Sequence, residues 1–319
     1  MEYVLGIDIG GTKSAVLLAK PGERDVEFLE RQAIPTRGGW EEVLKNLGDR
    51  GEDILYRHRV SAEDCSIGIS CGGPLDSGRG VILSPPNLPG WDAVPVVSYL
   101  EKRLGMTARI KNDADACALA EWRYGAGRGC SHMVFLTFGT GLGAGLILNG
   151  RLYEGACGMA GEVGHVRLEK DGPMGYGKAG SFEGFCSGGG IARLASSRAE
   201  GAIREGRPVS YMKKDGPEGI TARDVAEAAE KGCADAREVL ADSGRYFGRG
   251  LAVLVDILNP QRIVAGGIYT RAGKFLRDEM EKELAKEALP AAAAACAIVP
   301  SALGERIGDY GAVMAAMEQ

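Results

Sequence analysis

Apolar residues fall into two kinds of pattern along the chain. Val4 to Ile9 is mostly apolar and rich in β-branched residues, Gly10-Gly11 is a turn signal, and Ser14 to Ala19 is apolar again. Two strands joined by a tight turn are predicted there. The arrangement recurs at Met133 to Leu136, followed by the glycine-rich stretch Thr137 to Gly145 and a resumed strand at Leu146 to Leu148. Two strand-turn-strand units, one near the start of each half, suggest a weak internal duplication.

Elsewhere the period is helical. Trp40, Val43, Leu44 and Leu47 share one helical face, as do Phe247, Leu251, Leu254, Val255 and Leu258 before Asn259-Pro260 ends that helix. Thr221 and Asp224 have the spacing of a capping box that opens a helix through Ala229. Arg262 to Ala265 reads as a strand, Gly266-Gly267 follows, and Leu276, Met280 and Leu284 mark another amphipathic helix. Strands and helices mixed through both halves give an α/β class.

Composition sharpens this picture at three points. A length of 319 residues favours two domains, and 49 glycines are more than an ordinary globular chain carries. Lys and Arg total 38 against 43 Asp and Glu, a net charge of -5 that disfavours sequence-independent nucleic-acid binding or a polybasic membrane role. The eight cysteines are scattered without a CxxC pair, the pattern of reduced thiols in a cytoplasmic protein. No signal peptide or membrane span is expected, and a first strand at about residue 3 is expected to leave no room for an N-terminal DNA-binding module.

The candidate chemistry sits at the turns. Asp8-Ile9-Gly10-Gly11-Thr12-Lys13 offers bare backbone N–H groups, a hydroxyl, an ammonium and a carboxylate able to hold hydrated Mg²⁺. A hairpin turn with Thr12 and Lys13 merely exposed gives the same string. Gly139-Thr140-Gly141-Leu142-Gly143 repeats the chemistry without matching a Walker A loop or a Rossmann fingerprint. Gly266-Gly267 would let a flat base or ribose rest on bare backbone, although a strand-to-helix turn carries glycine for structural reasons too.

Asn112-Asp113 follows a predicted strand, Thr107 to Lys111, and precedes a predicted helix, Ala114 to Tyr124. There the helix dipole is expected to keep the Asp113 carboxylate ionised, as a general base needs, and a plain N-cap is the alternative. Glu162 and His165, three apart in Gly161-Glu162-Val163-Gly164-His165, suit recognition of vicinal hydroxyls.

Taken in this order, the segments DIGGTK (8–13), SCGGPLD (70–76), NLPGW (87–91), KNDADACALAE (111–121), TFGTGLGAGLILNG (137–150), AGEVGH (160–165) and VAGG (264–267) resemble the ROK family of repressors, open reading frames and sugar kinases. The resemblance implies a two-lobed, actin-like/ribonuclease-H-like ATPase fold with a cleft between lobes. The smaller lobe is expected at 1–118 plus 303–319 and the larger at 119–302. It implies ATP and Mg²⁺ as cofactors and transfer of a phosphoryl group to a hexose hydroxyl, glucose to glucose 6-phosphate first.

By the same resemblance, Asp8, Gly10, Gly11, Thr12 and Lys13 form one phosphate turn, with Asp8 near Mg²⁺. Gly139, Thr140, Gly141 and Gly143 form the other, and Gly266 and Gly267 the adenosine site. Asp113 is the implied base; Asn112, Glu162, His165 and, on glycine alignment, Glu183 are implied sugar ligands. Kinases for N-acetylmannosamine, N-acetylglucosamine, fructose or allose share these motifs, and a sugar-sensing regulator is the alternative class. A homodimer is the implied assembly. The segments around Gly72-Gly73-Pro74 and Asn87 to Trp91 are the expected place for contacts that choose the sugar.

One departure stands out. Many relatives bind structural zinc through three cysteines after the GH pair, and here those positions hold Met174, Tyr176 and Ser181. No structural zinc is expected, and the loop is expected to be held by packing of Tyr176, Phe182 and Phe185.

Overall fold

A computed structural model of the chain describes every residue except Met1, Pro208, residues 213–215 and Gln319. The chain divides into two compact units: residues 1–129 with 145–160 and 302–319, and residues 130–144 with 161–301.

The first unit opens with β1 (Tyr3–Ile9), β2 (Lys13–Pro21) and β3 (Val26–Pro35), an antiparallel meander. Helix α1 (Trp40–His58) leads to β4 (Cys65–Cys71), which lies parallel to β1. A small hairpin, β5 (Leu75–Asp76) and β6 (Val81–Ile82), precedes α2 (Val96–Leu104), β7 (Ala108–Asn112) and α3 (Asp113–Tyr124). The sheet order is β3-β2-β1-β4-β7. On one face Leu5, Ile7, Ile9, Val16, Leu18, Ile67 and Ile69 pack with Val43, Leu44, Leu47 and Leu100 into one buried core. Alternation along the strands sends Gly6, Asp8, Gly68 and Ser70 to the other face.

The second sheet is built from β8 (Met133–Phe138), β9 (Leu142–Leu148), β10 (Arg151–Leu152), β13 (Arg262–Ala265) and β14 (Ala297–Pro300), in the order β10-β9-β8-β13-β14. Its first three strands form an antiparallel meander, and the last two join in parallel. The first sheet has the same topology, so the duplication suggested by the two glycine turns extends to five strands in each. The second turn is shorter than its sequence suggests, because Gly143, Ala144 and Gly145 belong to β9. Gly145 is glycine for packing: a Cβ there would lie 2.5 Å from the Ala114 carbonyl and the Ala118 Cβ.

Between these strands lie the hairpin β11 (Met174–Gly175) and β12 (Lys178–Ala179), then α4 (Phe182–Phe185), α5 (Gly188–Arg204), α6 (Ala222–Glu230) and α7 (Ala234–Leu258). Helices α8 (Ile268–Glu287) and α9 (Pro290–Ala295) separate β13 from β14. The capping box at Thr221 and Asp224 forms, and α7 stops at Asn259, whose left-handed φ of 43° ends the helix. Gly244 and Gly248 let α7 approach α8 closely, since a Cβ at either would meet the backbone carbonyl of Leu276 or Met280 at 2.3 and 2.4 Å. The chain then returns to the first unit as α10 (Ile307–Met317), whose residues 309–316 are buried.

Phe182 and Phe185 are buried as the sequence suggests, but Tyr176 is 67% exposed. It occupies the β11–β12 turn at a φ of 40°, which turns its ring outward to meet His165 edge-on at 6.2 Å. Ser181, rather than Tyr176, joins the two phenylalanines as a local tie. Its hydroxyl caps α4 by accepting from the Gly184 N–H, and Phe185 stacks on Tyr246 with 3.5 Å between ring centroids.

Candidate functional site

In the first unit the turn between β1 and β2 is pinned from β3. The Thr36 hydroxyl donates to the Gly10 carbonyl at 2.7 Å and bonds Ser14 Oγ at 2.8 Å, while the Thr36 N–H donates to the Thr12 carbonyl. The carbonyls are thus occupied, whereas the Gly11 and Thr12 amides donate to nothing among the described residues. Free amides on a fixed turn are an anion cradle. Thr12 and Lys13 are exposed beside it. A Cβ on Gly11 would lie 2.4 Å from the Asn87 carbonyl, so the turn packs directly on the segment that begins at Asn87.

Asn112 and Asp113 divide the work at the start of α3. The Asn112 side chain is the N-cap, accepting from the Ala114 N–H at 2.9 Å, and Asp113 is the first residue inside the helix. Asp113 therefore is not needed as the cap, although its Oδ1 also accepts from Ala114 at 2.8 Å. The helix-terminal amides lower its pKa, as the sequence suggests, but desolvation is the larger effect and the net shift is upward. The residue as a whole keeps solvent access, so the desolvation falls on its carboxylate end. Gly72 approaches the same group: a Cβ there would sit 3.4 Å from Asn87 Nδ2 and 3.8 Å from Asp113 Oδ2.

Asp8, at the end of β1, is pushed up to about 6, by burial first and then by the charges of Asp113 and Asp309, with Arg31 opposing. Arg31 is engaged by Asp309, its Nε lying 2.8 and 3.0 Å from the two carboxylate oxygens. Arg31, Asp309, Thr36 and Ser70 are parts of this region that motif reading does not flag, because they come from β3, α10 and β4 and meet only in the folded sheet.

In the second unit the turn after β8 is held in the same manner. The Gly139 N–H donates to the Gly141 carbonyl at 3.1 Å, and the Gly139 carbonyl accepts from the Gly188 N–H at 2.7 Å. Thr137 Oγ1 accepts from the Gly143 N–H at 3.0 Å. The Thr140 and Gly141 amides donate to nothing among the described residues. Glu183 reaches this turn, Oε2 accepting from the Leu142 N–H at 3.0 Å, so one carboxylate oxygen is committed to the backbone. Gly188 opens α5, capped by Ser187, a helix start that the glycine run 188–190 could have signalled.

Gly266 and Gly267 join β13 to α8. Gly267 has a φ of 56°, and a Cβ on it would lie 2.1 Å from the Phe138 carbonyl, so the end of β8 and the start of α8 touch through bare backbone. Glu162 precedes a single 3₁₀ turn, Val163–His165, and both Glu162 and His165 are exposed at its two ends. Gly164 inside the turn packs on β9, where a Cβ would meet the Leu142 carbonyl at 2.1 Å and the Glu183 Cβ at 3.2 Å. The fold thus brings Glu162, His165, Glu183 and the second glycine turn into one neighbourhood, and Asp8, Asn112, Asp113 and the first glycine turn into another.

Comparison with known proteins assigns the class. The chain belongs to the ROK family, which it matches over residues 4–319. It is 33% identical over 317 residues to a glucokinase of Halalkalibacterium halodurans, covering 97% of this chain and 93% of that protein. It is 30% identical over 326 residues to the Escherichia coli DNA-binding transcriptional dual regulator NagC, covering 99% of this chain and 76% of that one. The crystal structure of a ROK family glucokinase from Streptomyces griseus, in complex with glucose and AMPPNP, superposes with a TM-score of 0.76 at 29% identity and covers 99% of both chains. The two α/β units therefore have the actin-like ATPase fold of that family.

Proposed function

We propose that the protein is an ATP- and Mg²⁺-dependent sugar kinase that phosphorylates a hexose hydroxyl, with glucose as first candidate and Asp113 as general base. The observation that carries this reading is the division of labour at α3. Asn112 takes the capping duty, which leaves Asp113 solvent-accessible with its pKa raised. A carboxylate above its ordinary pKa is a stronger base for a hydroxyl proton. Asn112, Glu162, His165 and Glu183 would orient sugar hydroxyls. The free amides of Gly11, Thr12, Thr140 and Gly141, with Lys13, would cradle phosphates, and Gly10, Gly139 and Gly143 shape those turns. Gly266 and Gly267 would give adenosine a flat backbone surface.

Asp8 fits a hydrated Mg²⁺ rather than an all-protein cage. It is one partly accessible carboxylate, and among the described residues it makes no ion pair and no set of three His, Cys, Asp or Glu converges. Bound there, Mg²⁺ supplies charge neutralisation on the transferring phosphate. The chain's own part is positioning: Asp113 accepts the hydroxyl proton, and the turns fix the phosphate.

The experiment is a sugar panel read by ADP release, with Asp113→Asn as control. Turnover with at least one hexose well above that control supports the reading, and none with any sugar rejects it. The relationship to NagC favours one second reading, a sugar-responsive regulator, which salt-dependent binding to a DNA fragment would support. No helix among the described residues is long and apolar enough to cross a membrane. We place the kinase in the cytoplasm as a homodimer, to be checked by cell fractionation and light scattering.

A further inference from the structure

Ser70 lies on β4 at 1% exposure, and its hydroxyl has no hydrogen-bond partner among the described residues. Buried hydroxyls are nearly always paired, and one that is not requires a reason. The parallel register of β1 and β4 sets Ser70 directly beside Asp8. Both side chains leave the same face of the sheet. Two residues earlier, Gly6 and Gly68 both abut Ala312 of α10, whereas Ile7 and Ile69 belong to the core on the opposite face. Asp8 touches α10 on that same side, where a Cβ on Gly308 would lie 3.2 Å from its Oδ2.

The Asp8 carboxylate, in turn, accepts no hydrogen bond from any described residue. A donor without an acceptor thus neighbours an acceptor without a donor, on strands about 4.8 Å apart. Rotation about the one side-chain torsion of serine is enough to swing its hydroxyl from one staggered position to another.

We propose that Ser70 is a positioning residue for Asp8, its hydroxyl donating to one carboxylate oxygen so that the other is fixed toward a hydrated divalent cation. This rests on the reading of Asp8 as the Mg²⁺ carboxylate. An uncommitted hydroxyl on the next strand can supply this hydrogen bond when the cation is bound, without disturbing the turn.

The test compares wild type with Ser70→Ala, Ser70→Cys and Asp8→Asn. Cysteine restores the volume but is a weak donor, so it separates a lost hydroxyl from a lost filling group. Mg²⁺ is titrated calorimetrically into each protein in the presence of ADP, and metal-free stability is read from denaturant midpoints. Ser70→Ala and Ser70→Cys are expected to bind Mg²⁺ about tenfold more weakly, the effect of losing one charge-assisted hydrogen bond. Their metal-free midpoints should match or exceed wild type, and kcat should fall with the sugar KM unchanged. Unchanged Mg²⁺ affinity in both Ser70 variants while Asp8→Asn loses it overturns the Ser70 role alone. Unchanged affinity in Asp8→Asn overturns the Asp8 reading and this inference with it. Weaker binding in Ser70→Ala that Ser70→Cys restores shows a packing role and also overturns it.

Discussion

The Leu142 N–H donates to Oε2 of Glu183 at 3.0 Å, tying the first residue of β9 to the first turn of α4. This bond stands immediately after the turn whose Thr140 and Gly141 amides are free, so it fixes the direction in which those amides point. Glu183 Oε1 makes no hydrogen bond among the described residues, as the proposed sugar contact requires. Glu183→Ala is therefore expected to raise the KM for ATP about tenfold, the loss of one hydrogen bond to a charged group, and to raise the sugar KM as well. Steady-state kinetics with each substrate varied in turn checks this. An unchanged KM for ATP would show that the turn holds its shape without the carboxylate.

Glu121 is a second carboxylate spent on backbone, this one fully buried, and its role is structural. It is 0% exposed and accepts from the N–H groups of Ala126, Ala302 and Leu303 at 2.7 to 3.0 Å. The last two start the segment that leads into α10, so this side chain ties α3 to the start of the chain's return to the first unit. Removing it leaves several amides unpaired at about 1–3 kcal/mol each. Glu121→Ala should destabilise the protein by about 3 kcal/mol or more, and Glu121→Gln, which retains one carbonyl acceptor, by less. Urea denaturation measures both; equal midpoints for Glu121→Ala and wild type would refute the assignment.

What could be read from the sequence is what is local. Gly10-Gly11 between two apolar runs announced the first hairpin, and Asn112-Asp113 between strand and helix patterns announced the start of α3. Thr36 on Gly10, Ser70 beside Asp8 and Glu121 on Ala302 join positions 26 to 181 residues apart, and no spacing rule encodes them. The same limit explains the upward pKa shift of Asp113. Its helix dipole is a local feature and lowers the pKa, whereas the desolvation that outweighs it comes from packing. Tyr176 failed for the converse reason. An aromatic in an apolar-looking loop suggests burial, but a two-residue turn with positive φ dictates outward exposure whatever the side chain.

Asp115, 4% exposed on α3, gives the fold a pH dependence of definite sign. It is pushed up to about 8, by burial first, then by Glu154, Glu318 and Asp113, with Lys111 opposing. Lys111 is itself shared by ion pairs to Glu154 at 2.8 Å and Glu318 at 2.7 Å, which limits its help to Asp115. Because the folded pKa lies above the unfolded value near 4, the native state binds more protons between these limits. The contribution of Asp115 to stability is thus fully present below about pH 4 and lost as pH rises to about 8. Asp115→Asn, which has no charge to desolvate, should gain on wild type from pH 5 to pH 8.5 in paired denaturant titrations. Wild type gaining on the variant over that range would reverse the sign and reject the account.

The loop where the sequence resemblance would place zinc has its own means of support here, and chelation should not disturb it. Ser181 is fully buried and caps α4, Phe182 packs against Phe247 at 6.0 Å between ring centroids, and Gly250 makes room for it, since a Cβ there would lie 2.2 Å from the Phe182 ring. Cys186, also buried, donates its thiol to the Ser243 carbonyl at 3.3 Å, and burial raises its pKa well above the ordinary thiol value, which opposes the thiolate a zinc site requires. Dialysis against EDTA should leave the melting temperature and far-ultraviolet circular dichroism unchanged, and elemental analysis of the untreated protein should find no stoichiometric zinc. Ser181→Ala, by contrast, should lower stability by about 1 kcal/mol, the usual cost of a lost helix N-cap. A melting temperature that falls after chelation and recovers on adding Zn²⁺ would show that the loop still depends on metal.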